Sequence, residues 1–203
     1  MTTNPIVKAL EGLRSKVNKT RHIRFEASRR LKYKQDLSTV SVAIFSVYGI
    51  GFNIFPSIFL SQTDRDMLPV VSTLVSAFVL VISLFEASRG YAQRAYELHN
   101  CSILLTALID KIDLVLLKNQ TGTLASSLEV ELEKLQAEYL KILIESKSNH
   151  DYIDYLVYNY SVDKSAGWRS PIYTSFLKHI TPYKLHYALH ITFFIVIFYL
   201  FFR

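Results

Sequence analysis

The chain has 203 residues, half of them hydrophobic, a formal net charge of +6 and a single cysteine, Cys101. It is too short for a large polytopic transporter and too apolar for one soluble domain, and one cysteine excludes an intrachain disulfide. The positive charge admits lipid headgroups or nucleic acid as partners.

Residues 1–36 are predicted as a basic amphipathic cytoplasmic helix. Asn4-Pro5 supplies a cap and a first helical residue, and Ile6, Leu10, Leu13 and Val17 keep the spacing of one helix face, resumed by Ile23, Ala27 and Leu31. Ten Lys/Arg stand here against Glu11, Glu26 and Asp36. Excess Lys/Arg ahead of a first span is what membrane topology demands. Arg21, Arg24, Arg29, Arg30, Lys32 and Lys34 are therefore candidates for lipid contact, each worth about 1 kcal/mol near an anionic surface. Nucleic acid is the alternative partner for the same residues. It is poorly supplied with stacking aromatics, since the segment 8–34 holds only Phe25 and Tyr33.

Two uncharged runs follow, 37–63 and 67–85, separated by Asp64-Arg65-Asp66. A hydrocarbon core about 30 Å thick takes roughly 20 helical residues to cross. Residues 37–86 are accordingly predicted as a two-span transmembrane hairpin. On a helical wheel Ser38, Ser41, Ser46, Gly49, Asn53, Pro56 and Ser57 share one arc of the first span, along with Phe52 and Phe55. Ser72, Ser76, Ser83, Ala87 and Gly90 form a similar stripe on the second. Small residues at this spacing let helices approach closely, so the stripes read as the hairpin's own packing seam. A sharper reading makes them the lining of an aqueous path between assembled hairpins, with Asn53 the most polar member and Glu86 a charged ring at the inner mouth. Glu86 also reads as an interfacial carboxylate paired with a nearby basic residue.

Residues 87–184 are predicted as a cytoplasmic helical region. The second span shows no stop signal, and one helix is expected to run through Gly90 to about Leu117. Asn119-Gln-Thr-Gly-Thr is a turn, a helix over 124–146 follows, and Asn149-His150-Asp151 is positioned to cap a short helix over 152–158. Pro171 and Pro182 bracket another short helix. Residues 185–203 close the chain with an apolar segment, 185–202, free of Asp, Glu, Lys and Arg, predicted as a third transmembrane helix. The fold class is thus all-α: a membrane helical hairpin, a cytoplasmic helical layer and a C-terminal transmembrane helix. The positive-inside distribution puts the N-terminus and residues 87–184 in the cytoplasm.

No enzyme is expected. There is no phosphate-cradling glycine loop, nucleophile elbow or convincing triad, and no small-molecule substrate, cofactor or catalytic residue is identified. His186 and His190 have the spacing of metal ligands, with His179 nearby, but no carboxylate or cysteine shares their face, so they read as packing residues.

The layout resembles a known family. Arg29-Arg30-Leu31 ahead of the membrane, the two-span hairpin, the second span running into EASRGYAQRAYELHNC (86–101) and the helical pair ending in NHDYIDY (149–155) carry the likeness. It covers nearly the whole chain and is to the SLATT family, two-transmembrane effector domains found beside SMODS nucleotidyltransferases and SLOG nucleotide sensors. With its third apolar segment the chain looks most like the fifth subfamily, whose members accompany reverse transcriptases. The resemblance implies an oligomeric effector of prokaryotic antiphage defence at the inner membrane. Such an effector stays silent until a reverse transcriptase or nucleotide-signalling sensor reports infection, then permeabilises the membrane, with abortive infection as the result. A non-conducting anchor that recruits a partner through its cytoplasmic helices is the rival reading.

Overall fold

The computed structural model describes residues 4–59, 68–124 and 127–162, together with Ala188, Ile191 and Ile195. All described secondary structure is helical. Five helices run in order: α1 (Pro5–Phe59), α2 (Leu68–Ser88), α3 (Tyr91–Gln120), α4 (Leu128–Glu145) and α5 (Tyr152–Val162).

The local signals explain the boundaries. Asn4 caps α1, its Oδ1 accepting from the Ile6 amide at 3.0 Å. From Pro5 the helix continues unbroken for 55 residues, so the basic lead-in and the first predicted span are one element. The expected helix through Gly90 is instead broken there. Gly90 has φ +59°, the left-handed conformation that ends a helix and that a side chain would resist. Arg89 reinforces the break, lying over the Phe85 ring at 4.5 Å and donating to Tyr91 Oη at 2.8 Å. The predicted turn at 119–123 is present, with Gly122 at φ +68°. Ser127 then caps α4, accepting from the Val130 amide, so α4 begins four residues later than the spacing predicts.

The chain divides into two units. The first gathers residues 1–31 and 92–179. Its core is made by the first half of α1 with α3 and α4: Leu10, Leu13 and Val17 meet Leu105, Leu108, Ile112, Leu135, Tyr139 and Ile142. Each is an apolar stripe at helical spacing finding another, which is how a helical layer gains most of its stability. Polar ties frame the core. Arg14 forms an ion pair with Asp113, Lys111 pairs with Glu138 at 2.6 Å, and Thr20 and Tyr139 share a hydrogen bond of 3.0 Å. Lys19 sits over the Tyr155 ring at 4.9 Å, which fixes α5 beside α1.

The second unit gathers residues 32–91 and 180–203. Here Ser38, Ser41 and Phe45 are buried on one face of α1, while Val40, Val47, Ile50 and Ile54 are exposed. On α2, Leu74, Phe78, Leu80, Val81, Leu84 and Phe85 are likewise exposed. Among the described residues, no helix is long and apolar enough to cross a membrane. Residues 60–67, which include the end of the first predicted span (37–63) and the start of the second (67–85), lie outside the described residues, as do the side chains at 52, 53, 55–59, 68–72, 75 and 86. The predicted C-terminal span also lies outside them, apart from Ala188, Ile191 and Ile195, each helical and exposed. The short helix between Pro171 and Pro182, and His179, His186 and His190, lie outside them too.

Candidate functional site

The densest polar arrangement in the first unit joins the end of α1's first half to the start of α5. Arg30 is buried, with its guanidinium fork closed by two carboxylates. Nε donates to Asp154 Oδ1 at 2.7 Å, and Nη2 donates to Asp154 Oδ2 at 3.0 Å and to Asp151 Oδ2 at 2.5 Å. Asp154 is only 2% exposed. Its Oδ2 also accepts the Asp151 amide at 2.9 Å, so the carboxylate starts α5 and holds the arginine at once. Burial opposes the charged form of Arg30, yet the hydrogen bonds and charge of Asp154, then those of Asp151, outweigh it and raise its pKa. Arg94 adds a second cation, 3.8 Å from Asp151. Such a bidentate, desolvated pair is strongly destabilising to break from one side.

Two and six residues earlier on α1 the treatment differs. Ser28 Oγ donates to the Ala95 carbonyl at 2.7 Å, pinning α1 to α3. Arg24 is buried as well, and its Nη1 donates to Cys101 Sγ at 2.8 Å and Ser146 Oγ at 2.6 Å. Close by, half-buried His150 is held below the usual histidine range, first by burial and then by the positive charge of Arg24, against the pull of Asp154 and Asp151.

The predicted cationic set is therefore split by the fold. Arg24 and Arg30 turn inward to internal partners and are not surface cations. Arg21 reaches His22 Nε2 at 3.1 Å, Arg29 pairs with Glu26 at 3.3 Å, Lys32 is exposed and Lys34 lies over the Tyr91 ring at 5.6 Å. Spacing on a helix could not separate these roles, because the carboxylates that capture Arg30 lie more than a hundred residues away. The signal that was available is the pair Asp151 and Asp154 at i, i+3 in a short cap-and-helix segment.

The predicted stripe is also split. Ser38 and Ser41 are buried. Ser46 and Ser76 are exposed, Gly49 and Ser83 partly so. The hydroxyls of Ser46 and Ser83 donate to carbonyls four residues back, Val42 at 2.8 Å and Val79 at 2.7 Å. Side chains of Asn53, Ser57, Ser72 and Glu86 lie outside the described residues.

Comparison with protein families gives one decisive match, to the SMODS and SLOG-associating 2TM effector domain family 5, over residues 6–202. The chain belongs to this family. As a family 5 domain it is a membrane effector associated with defence systems, and its match runs through both units described above. Comparison with curated proteins and with solved structures yields no match. For the family 5 effector, the Arg30 clasp and the serine-bearing helices are thus the two features on which a mechanism has to be built.

Proposed function

We propose that this chain is a homo-oligomeric effector of the prokaryotic inner membrane, not an enzyme, that permeabilises the bilayer when a cytoplasmic partner acts on its first unit. The partner would be a reverse transcriptase or a nucleotide-signalling sensor protein. The observation that carries the reading is the apolar surface of the second unit. Ten large hydrophobic side chains, from Val40 to Ile54 on α1 and from Leu74 to Phe85 on α2, are at least half exposed. A surface of that density belongs in lipid or against other copies, not in water. In this reading 37–63 and 67–85 cross the membrane as a hairpin, 185–202 crosses as a third helix, and residues 1–36 and 87–184 stay in the cytoplasm. The first unit is the switch. Its cap on α5 is welded to α1 at Arg30, two residues before the second unit begins.

Weak polar packing makes rearrangement within the membrane accessible, because hydrogen bonds between membrane helices average only about 0.6 kcal/mol. Induction in bacteria carrying a potential-sensitive dye tests the reading, with depolarisation before growth arrest as the expected result. Arrest without depolarisation would refute it. In the same assay Asn53→Leu is expected to blunt depolarisation more than Tyr48→Leu; equal effects would sink the pore-lining role of the stripe.

A second reading has its own observation. Burial of Ser38 and Ser41 favours a seam that stays closed, and with it a non-conducting anchor that recruits a protein or nucleic-acid partner. Partner recruitment to membranes with no ion leakage at any expression level would favour that outcome.

A further inference from the structure

The two buried arginines of α1 receive opposite treatment. Arg30 has two carboxylates. Arg24, 5% exposed, has none among its partners: a thiol and a hydroxyl accept from Nη1, and its buried Nε has no hydrogen-bond partner among the described residues. A guanidinium stays charged in a protein, and a buried charge without a counter-charge is costly. His150, beside it, also has a buried ring nitrogen, Nδ1, without a hydrogen-bond partner among the described residues. Burial first, and then the positive charge of Arg24, hold this histidine below its usual range against the pull of Asp154 and Asp151.

Both acceptors of Arg24 form part of the wall of a cavity of about 260 Å³, so the guanidinium stands directly behind it. Asn100 and Lys147 add donors to the lining. Glu97 and Glu145 complete it with acceptors, and both are held in place, Glu97 by Ser148 and Gln93 and Glu145 by Lys141 at 3.9 Å. Donors and carboxylates side by side in one lining suit a ligand that carries both an anionic group and hydroxyls, the combination by which proteins read phosphate and sugar. The volume limits that ligand to about the size of a mononucleotide or smaller.

We propose that this cavity of the first unit binds a small phosphate ester, its phosphate toward Arg24, Ser146 and Lys147 and its hydroxyls toward Glu97. The ester is either a soluble nucleotide or a phospholipid headgroup. Binding is independent of whether the second unit conducts ions, so failure here would leave the permeabilising reading untouched.

The test uses the purified full-length chain in a neutral detergent, titrated calorimetrically at constant ionic strength with AMP, adenosine, inorganic phosphate and dihexanoyl-phosphatidylglycerol. Saturable binding of AMP but not adenosine supports the proposal and assigns a nucleotide source; saturable binding of the short-chain lipid alone supports it and assigns the headgroup. Exposed Lys147→Gln and Asn100→Leu are expected to weaken binding about tenfold, as loss of a charge-assisted or directed hydrogen bond does. Arg24→Lys, which keeps charge without the fork, should fall between wild type and Arg24→Gln. Bound phosphate should also raise the His150 pKa, followed by NMR of the imidazole, because a nearby anion offsets Arg24 while Asp151 and Asp154 stay in place. No saturable binding of any phosphate-bearing probe, equal binding of adenosine and AMP, or affinities unchanged in Lys147→Gln and Asn100→Leu would each overturn the proposal.

Discussion

One helix, α1, carries two kinds of apolar stripe. Leu10, Leu13 and Val17 in its first half are at most 7% exposed, whereas Val40, Val47, Ile50 and Ile54 in its second half are 53–66% exposed. The side chains are alike and their backbone is the same continuous element. What differs is the partner: α3 and α4 present Leu105, Leu108, Ile112, Leu135 and Ile142 to the first stripe. Burying such a side chain stabilises by about 1.5–3 kcal/mol, and of these two stripes the first realises that gain. The second stripe stays exposed, as suits the membrane effector that the family match shows. Apolar content, then, does not define a core; a matching stripe does.

That contrast can be broken first at its polar edge. Asp154→Ala removes the fully buried carboxylate of the Arg30 clasp, and should lower the stability of the first unit by about 3 kcal/mol or more. Hydrogen exchange of the full chain in detergent would report this as lost protection over 152–162; protection equal to wild type would show that the clasp carries no stability. Next comes a matched pair on the two surfaces. Leu105→Ala should cost about 2–5 kcal/mol in denaturant unfolding followed at α3, and Ile50→Ala less than about 0.5 kcal/mol in the same measurement. Similar values for the two would erase the distinction between the units.

A pH effect, whose sign the geometry determines, sharpens the comparison last. The His150 pKa is depressed in the folded state, so above about pH 6.5 the neutral ring serves folded and unfolded chains equally well. As pH falls through the unfolded value and then the depressed one, the unfolded chain takes up the proton first and stability drops. Melting of the first unit should therefore decline between pH 7.5 and 5.5, and His150→Gln should flatten that decline. An unchanged slope in the variant would assign the effect to other groups.

Much of this was legible in the residues. Asn4-Pro5, the turn at 119–123 and the Asn149-His150-Asp151 segment all act through local chemistry, so reading them needs no knowledge of the rest of the fold. The 4-3-4 spacing of Ile6, Leu10, Leu13 and Val17 likewise identified the buried face. Gly90 is the exception. Its neighbours continue a helical pattern on both sides, and only the backbone angle reveals that the glycine is used for its left-handed conformation. In the sequence Arg24 and Arg30 look like surface cations, because their partners come from distant segments of chain. A basic stretch ahead of an apolar run looks the same whether its members face headgroups or an interior. The candidate cavity was illegible for the same reason, being assembled from α3 and the end of α4.

The hydroxyls of Ser46 and Ser83 carry one more consequence. Each gives its hydrogen to its own helix, so what it turns toward its surroundings is oxygen lone pairs. To a neighbouring hydrocarbon such a residue is nearly mute. To a permeating ion it would be an electron-rich ligand, which welcomes sodium or potassium and repels chloride. Conduction along these helices should thus discriminate by sign, and reversal potentials in asymmetric salt that track chloride would rule these oxygens out as the lining.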